Sequence, residues 1–187
     1  MRLLLAAIAL VLAASPASAD GRGARAFAFV SSEGEPLPLV RFAGRPPLLV
    51  DTASLCGSAY RYGALQRLWR RYRDSGLVVL GVLSDDFGGQ EPGSNAQIET
   101  FCETNVAVDV PVTEKMSVSG PSSHPLFPWL RRELGESVGP RWNFHESPIG
   151  PDGRAVAARP SGVEPDGPPI TAALERLPAP AAPAARS

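Results

Sequence analysis

Lysine is nearly absent from this chain. Of its 18 basic residues 17 are arginine, and the exception is Lys115. Any anion site must therefore be built from arginine. The 18 basic residues face 19 acidic ones, for a formal net charge of −1, and this leaves no excess of positive charge to suggest a nucleic-acid partner. Histidine is as scarce, with only His124 and His145. No cysteine or carboxylate joins them at ligand spacing, so no metal site is expected. Cysteine is limited to Cys56 and Cys102. Cys56-Gly57-Ser58-Ala59 lacks a second thiol, which argues against a thioredoxin-type disulfide exchanger. No internal repeat and no second domain are visible.

What is present begins with a short positive start, Met1-Arg2, and an apolar run from Leu3 to Ala14. The run is too short to span a bilayer comfortably, and no other stretch is long and apolar enough. Pro16 breaks it, and Ala17-Ser18-Ala19 is a small-x-small cleavage signal. Residues 1–19 thus read as a secretory signal peptide cleaved after Ala19, and the mature protein as exported, periplasmic or secreted. Cleavage leaves 168 of the 187 residues and, with Arg2 gone, a net charge of −2. That length suits one domain, assigned to residues 20–177. Residues 178–187 form a Pro/Ala tail with little to pack, expected to be disordered. In an exported protein two cysteines ordinarily make one structural disulfide.

The chain is organised around Val50-Asp51-Thr52-Ala53-Ser54-Leu55-Cys56-Gly57. Leu48 to Val50 reads as a buried strand, and Cys56 stands where that strand gives way to a helix. A thiol there faces the positive end of the helix dipole, which favours the thiolate. Upstream, Ala26 to Val30 and Leu37 to Leu39 alternate around the turn Ser32-Glu33-Gly34, which predicts an N-terminal β-hairpin. Downstream, Tyr62, Leu65, Leu68, Trp69 and Tyr72 share one helical face, and Asp74-Ser75-Gly76 stops that helix. Leu77 to Leu83 is a nearly all-apolar central strand. Strand, helix and strand make a right-handed βαβ unit with parallel pairing.

Ser94 with Gln97 is a capping box for the next helix, whose apolar face carries Ile98, Phe101 and Cys102. Val106, Val108, Val110 and Val112 alternate as a strand that Pro111 pushes towards an edge. Ser122 or Ser123 is expected to cap a helix with Leu126, Trp129, Leu130 and Leu134 as its stripe and Gly135 as its stop. Asp152-Gly153 marks a turn before a weak strand, and a last helix is expected over 170–177. Strands and helices alternating around a junction cysteine outline a thioredoxin-like α/β fold, a central mixed sheet flanked by helices.

Several blocks together resemble the glutathione peroxidase family. They are Thr52-Ala53-Ser54-Leu55-Cys56-Gly57, Tyr72 to Gly81, and Phe87-Gly88-Gly89-Gln90-Glu91-Pro92-Gly93-Ser94-Asn95. Gly120-Pro121, His124-Pro125-Leu126 and Trp142-Asn143-Phe144 follow in the family's order. The resemblance implies a thiol peroxidase acting on hydrogen peroxide or organic hydroperoxides. It implies Cys56 as the peroxidatic cysteine, with Gln90, Trp142 and Asn143 as its catalytic partners. All three carry N–H donors, which favour a thiolate and stabilise charge on a leaving oxygen. Cys102 is either a resolving cysteine or a buried core thiol. Arg61 matches a basic, substrate-binding position in some glutathione-using members. No cofactor is implied beyond the thiol reductant, a thioredoxin-like protein or glutathione. The short 137–141 segment lacks the insertion of tetrameric members, which points to a monomer.

The chain departs from the family at Asp51, where Asn is usual, and at Ser84-Asp85-Asp86, where Cys-Asn-Gln is usual. Carboxylates near Cys56 would raise its pKa and slow peroxide attack, and Asp86→Gln would then accelerate it. Satisfied by backbone or arginine, the same carboxylates would be inert. After Phe144, Pro148 marks an edge or irregular strand. These departures support a second reading, an impaired exported member acting as a redox sensor, a relay or a structural protein with a Cys56–Cys102 disulfide.

Overall fold

The computed structural model describes residues 23–95, 97 and 110–176. The segment carrying Cys102, the leader and the C-terminal tail lie outside the described residues.

The expected hairpin forms from β1 (Ala28–Val30) and β2 (Pro36–Pro38), antiparallel with Phe29 opposite Leu37. Gly34, at φ +87°, supplies the left-handed turn between them. The main sheet has the order β4-β3-β5. Strand β3 (Pro47–Thr52) is buried at every residue and pairs in parallel with β4 (Val78–Leu83), also wholly buried. Helix α1 (Arg61–Tyr72) makes the crossover, and Gly76 at φ +93° turns the chain into β4. On the far side of β3 runs the short antiparallel strand β5 (Glu146–Pro148). Val112 bridges to Gly81 beyond β4, so the sheet continues there as an edge. The sheet is therefore mixed.

Alternation along β3 sorts the interior into two layers. Leu48 and Val50 pack with Cys56, Tyr62, Leu65 and Phe144 on the α1 side. Leu49 packs with Leu80, Val82, Trp129 and Leu130 on the other side, where α2 (Leu126–Leu134) covers the sheet. Helix α3 (Pro168–Glu175) closes the chain over the first layer through Ile170 and Leu174. The segment before it is strapped to α1 by Arg67–Asp166 at 2.7 Å and by Arg61, which bonds Val163 O and Glu164.

Two expectations shift. Helix α2 starts at Leu126, with no side-chain cap from Ser122 or Ser123. Ser123 Oγ instead donates to Gly120 O at 2.9 Å, and His124 Nδ1 accepts the Leu126 N–H at 3.3 Å. His124 Nε2 meets Ala28 O at 2.9 Å. The neutral tautomer protonated on Nε2 satisfies both bonds, and burial lowers the His124 pKa accordingly. Behind Cys56, helix α1 begins five positions later, with a series of tight turns between them. The thiol therefore meets a single local N–H in place of a helix N-terminus.

Glu146 stands wholly buried in β5, both carboxyl oxygens without a hydrogen bond among the described residues. Burial raises its pKa from 4.5 to about 8, against the opposing pull of Arg61 and Arg159 and with Glu164 adding to the rise. The folded chain thus holds a proton that the unfolded chain releases near pH 4.5. The associated stability is complete below pH 4.5 and lost as pH rises through 8. Glu146→Gln is expected to remove that loss, stabilising the protein at pH 9 relative to wild type by up to a few kcal/mol. Thermal melts of both proteins at pH 5 and pH 9 check it.

Candidate active site

The site is built where the loop after β3 meets the loop after β4. Cys56 is 5% exposed, in the α1 layer beside Val50 and Phe144, and its thiol is free. Among the described residues, the one hydrogen bond to its sulfur comes from the Ser58 N–H at 3.4 Å. An N–H aimed at sulfur favours the thiolate. Leu55, exposed on the other side of the thiol, donates its N–H to Gln90 O at 2.9 Å. The cysteine loop and the glutamine loop are thereby joined one residue from the sulfur.

Gln90 and Asn143 meet directly. Asn143 is fully buried, and its Nδ2 donates to Gln90 Oε1 at 2.8 Å and to Phe87 O at 3.3 Å. Both N–H groups of that amide are then in use. Both described bonds of the Asn143 amide go to the glutamine loop and none to the sulfur, where a donor to the thiol was expected. Gln90 Oε1 is thereby engaged, which fixes the orientation of its amide.

Trp142 is 47% exposed, its ring tilted against Phe87 with centroids 6.3 Å apart. Phe144, next in the chain, adopts φ +65°, the one non-glycine left-handed residue among those described. Such a backbone is costly for an aromatic residue and persists only where packing and hydrogen bonds hold it. Here Phe144 N–H donates to Asp51 O at 2.7 Å, and its ring meets Tyr62 edge-on at 5.1 Å. The kink follows exposed Trp142 and buried Asn143 and leads the chain towards β5.

Two of the three carboxylates that set this chain apart, Asp85 and Asp86, are engaged locally. Asp85 Oδ1 accepts the Glu91 N–H at 2.7 Å. Asp86 Oδ2 accepts Val118 N–H and Ser119 N–H, each at 2.8 Å, and Ser117 Oγ at 3.0 Å. Asp51 is buried and continues the Leu49 side of β3, away from the layer holding Cys56. Burial drives its pKa up, so the protonated form is favoured, with Asp86 and Glu146 adding to the rise. The inert alternative thus describes Asp85 and Asp86, while both Asp51 carboxyl oxygens are buried without a hydrogen bond among the described residues. Arg61, offered as a substrate-binding residue, is turned inward and engaged with Val163 O and Glu164.

Beside Trp142 opens a cleft of about 380 Å³, walled by Val138, Arg141, Trp142, His145, Ala158 and Pro160. His145 is kept neutral by burial, which lowers its pKa to about 4. Among the described residues no group of three or more His, Cys, Asp or Glu side chains could hold a metal ion. No described helix is long and apolar enough to cross a membrane.

A thiol joined to a neighbouring amide pair on a thioredoxin-like sheet defines a class, the thiol-dependent oxidoreductases of that fold. A thiol:disulfide interchange protein from Chlorobium tepidum shares the fold, at 15% identity and a TM-score of 0.58 over 84% of this chain and 99% of that one. The profile of the glutathione peroxidase family matches residues 25–131. Hydroperoxy fatty acid reductase gpx1 of Synechocystis is 39% identical over 153 residues, 78% of this chain and 89% of that protein. The crystal structure of T. cruzi GPX1 superposes with a TM-score of 0.66 at 26% identity, covering 83% of this chain and 95% of that one. The chain belongs to the glutathione peroxidase family.

Two features escaped the sequence reading. The φ of Phe144 has no signal in residue type. Glu91 stood inside the quoted Gly-rich block, and its burial became visible only in three dimensions.

Asp86 holds the 117–119 turn, so Asp86→Ala is expected to lower stability by about 1–2 kcal/mol and not to accelerate peroxide consumption. A melting curve and a peroxide assay on the same variant check both halves. A faster variant would show that the Asp86 charge reaches the thiol.

Proposed function

We propose that Cys56 is the peroxidatic residue of this peroxidase and that Gln90, held by Asn143, is its principal donor. The observation that carries this reading is the hydrogen bond between Asn143 and Gln90 in a loop whose backbone is bonded beside the thiol. The Cys56 thiolate attacks one peroxide oxygen. The S–O bond forms as the O–O bond breaks, leaving a sulfenic acid and an alkoxide or hydroxide that takes up a proton. The Gln90 NH2 stabilises the charge on the departing oxygen. Trp142, exposed and tilted against Phe87, supplies a further N–H donor for the peroxide. Two reducing equivalents from thiols then restore the cysteine, releasing water.

The cleft beside Trp142 supports an organic hydroperoxide as substrate. Its walls are largely apolar, and Arg141 supplies a cation for an acidic end group. The name of the Synechocystis relative, a hydroperoxy fatty acid reductase, supports the same choice. A thioredoxin-like protein or glutathione serves as reductant, with Cys102 as the resolving thiol for the former. The signal-like segment 1–19 supports export, and the short 137–141 segment a monomer.

Cys56→Ser is expected to abolish peroxide consumption, whichever reductant is supplied. Equal rates in variant and wild type would end this reading. Filling the cleft with Ala158→Trp is expected to raise KM for a fatty-acid hydroperoxide by about tenfold and to leave hydrogen peroxide turnover unchanged. Equal losses with both substrates would place the acyl chain elsewhere.

A further inference from the structure

Glu91 follows Gln90 directly and is 0% exposed. Its Oε2 accepts two hydrogen bonds from Ser54, from the backbone N–H at 2.8 Å and the hydroxyl at 3.1 Å. The next N–H in the chain, that of Leu55, donates to Gln90 O at 2.9 Å. Two consecutive residues before the thiol are thus bonded to two consecutive residues ending the glutamine loop. The Glu91 backbone is itself held, its N–H on Asp85 Oδ1 at 2.7 Å and its carbonyl accepting from Lys115 Nζ at 3.0 Å. Lys115, the chain's sole lysine, also reaches Gly93 O at 3.1 Å. Among the described residues, every hydrogen bond to the Glu91 carboxyl group comes from the cysteine loop, and its other oxygen, Oε1, is buried without a partner.

A buried carboxylate is costly to keep unless it makes strong hydrogen bonds in return. Nothing in the chemistry of peroxide reduction requires an acid at this place, since Glu91 touches neither the sulfur nor the Gln90 amide among the bonds described. We propose that Glu91 is a positioning residue for the peroxidase reaction: by clamping Ser54, it sets the distance and angle between Cys56 and the Gln90 amide. Asn143 fixes the direction of that amide, and Glu91 fixes where the thiol stands relative to it. The proposal rests on the roles given above to Cys56 and Gln90.

The test is a double-mutant cycle on the full chain, reading the single-turnover rate with hydrogen peroxide and the pH titration of the Cys56 thiol. Glu91→Ala is expected to slow peroxide attack by about tenfold to a hundredfold, the scale of a small misplacement of reacting groups, and to shift the thiol titration. Ser54→Ala, which keeps the backbone N–H bond and leaves no charge unpaired, is the milder probe and is expected to slow attack by severalfold. In a Gln90→Ala background Glu91→Ala is expected to add little, because the group it positions is gone. Full additivity, or a loss of melting temperature with the rate per folded molecule and the thiol titration unchanged, would overturn the proposal. Should Glu91→Ala fail to fold, the same two readouts on Ser54→Ala decide: unchanged values overturn it. Failure of the functional reading itself is recognised separately, by a Gln90→Ala variant as fast as wild type.

Discussion

The site depends on one connection, the joining of the loop after β3 to the loop after β4. Parallel strands deliver their C-terminal ends to the same edge of the sheet, which brings the two loops together. Proximity alone does not fix their separation. The backbone bond from Leu55 to Gln90 and the carboxylate bonds from Glu91 to Ser54 do so. A third segment, between α2 and β5, then inserts Asn143 and completes the amide chain from Phe87 through Asn143 to Gln90. The strained Phe144 backbone is the local cost of that insertion, held by Asp51 O and by packing against Tyr62.

Charge around the thiol follows the same economy of placement. The acidic residues nearest in sequence each have a local occupation: Asp85 and Asp86 cap backbone N–H groups, and burial favours the neutral form of Asp51. Glu146 is likewise pushed towards neutrality in the sheet beneath. Among the described residues the thiol receives one hydrogen bond, from the Ser58 N–H, and none of these carboxylates is bonded to it. The part of the impaired reading that rested on Asp85 and Asp86 is weakened accordingly.

The sequence made the sheet and its crossover legible because both are written in simple periodicities. Leu77 to Leu83 is apolar throughout and becomes a strand buried on both faces, and the three-and-four spacing from Tyr62 to Tyr72 becomes α1. The capping box at Ser94 and Gln97 is present in both directions, at 2.9 and 3.4 Å. Cys56, Gln90, Trp142 and Asn143 were legible through ordered blocks of motif, not through any one residue. What could not be read were directions. Whether Asn143 donates to sulfur or to Gln90 depends on how the Phe87–Gln90 loop meets Asn143, which residue type does not announce. Whether Asp86 faces the thiol or a turn depends on where residues 117–119 return. The start of α2 moved because a histidine ring, not a serine, met its first free N–H groups.

The central claim is that a single sulfur takes the oxygen. Peptide mass spectrometry of the reduced protein after one equivalent of an organic hydroperoxide, with a sulfenic-acid trap present, tests it most directly. The trap is expected on the peptide carrying Cys56, in wild type and in a Cys102→Ser variant alike. A Cys56 peptide that stays unmodified while the hydroperoxide is consumed would contradict it.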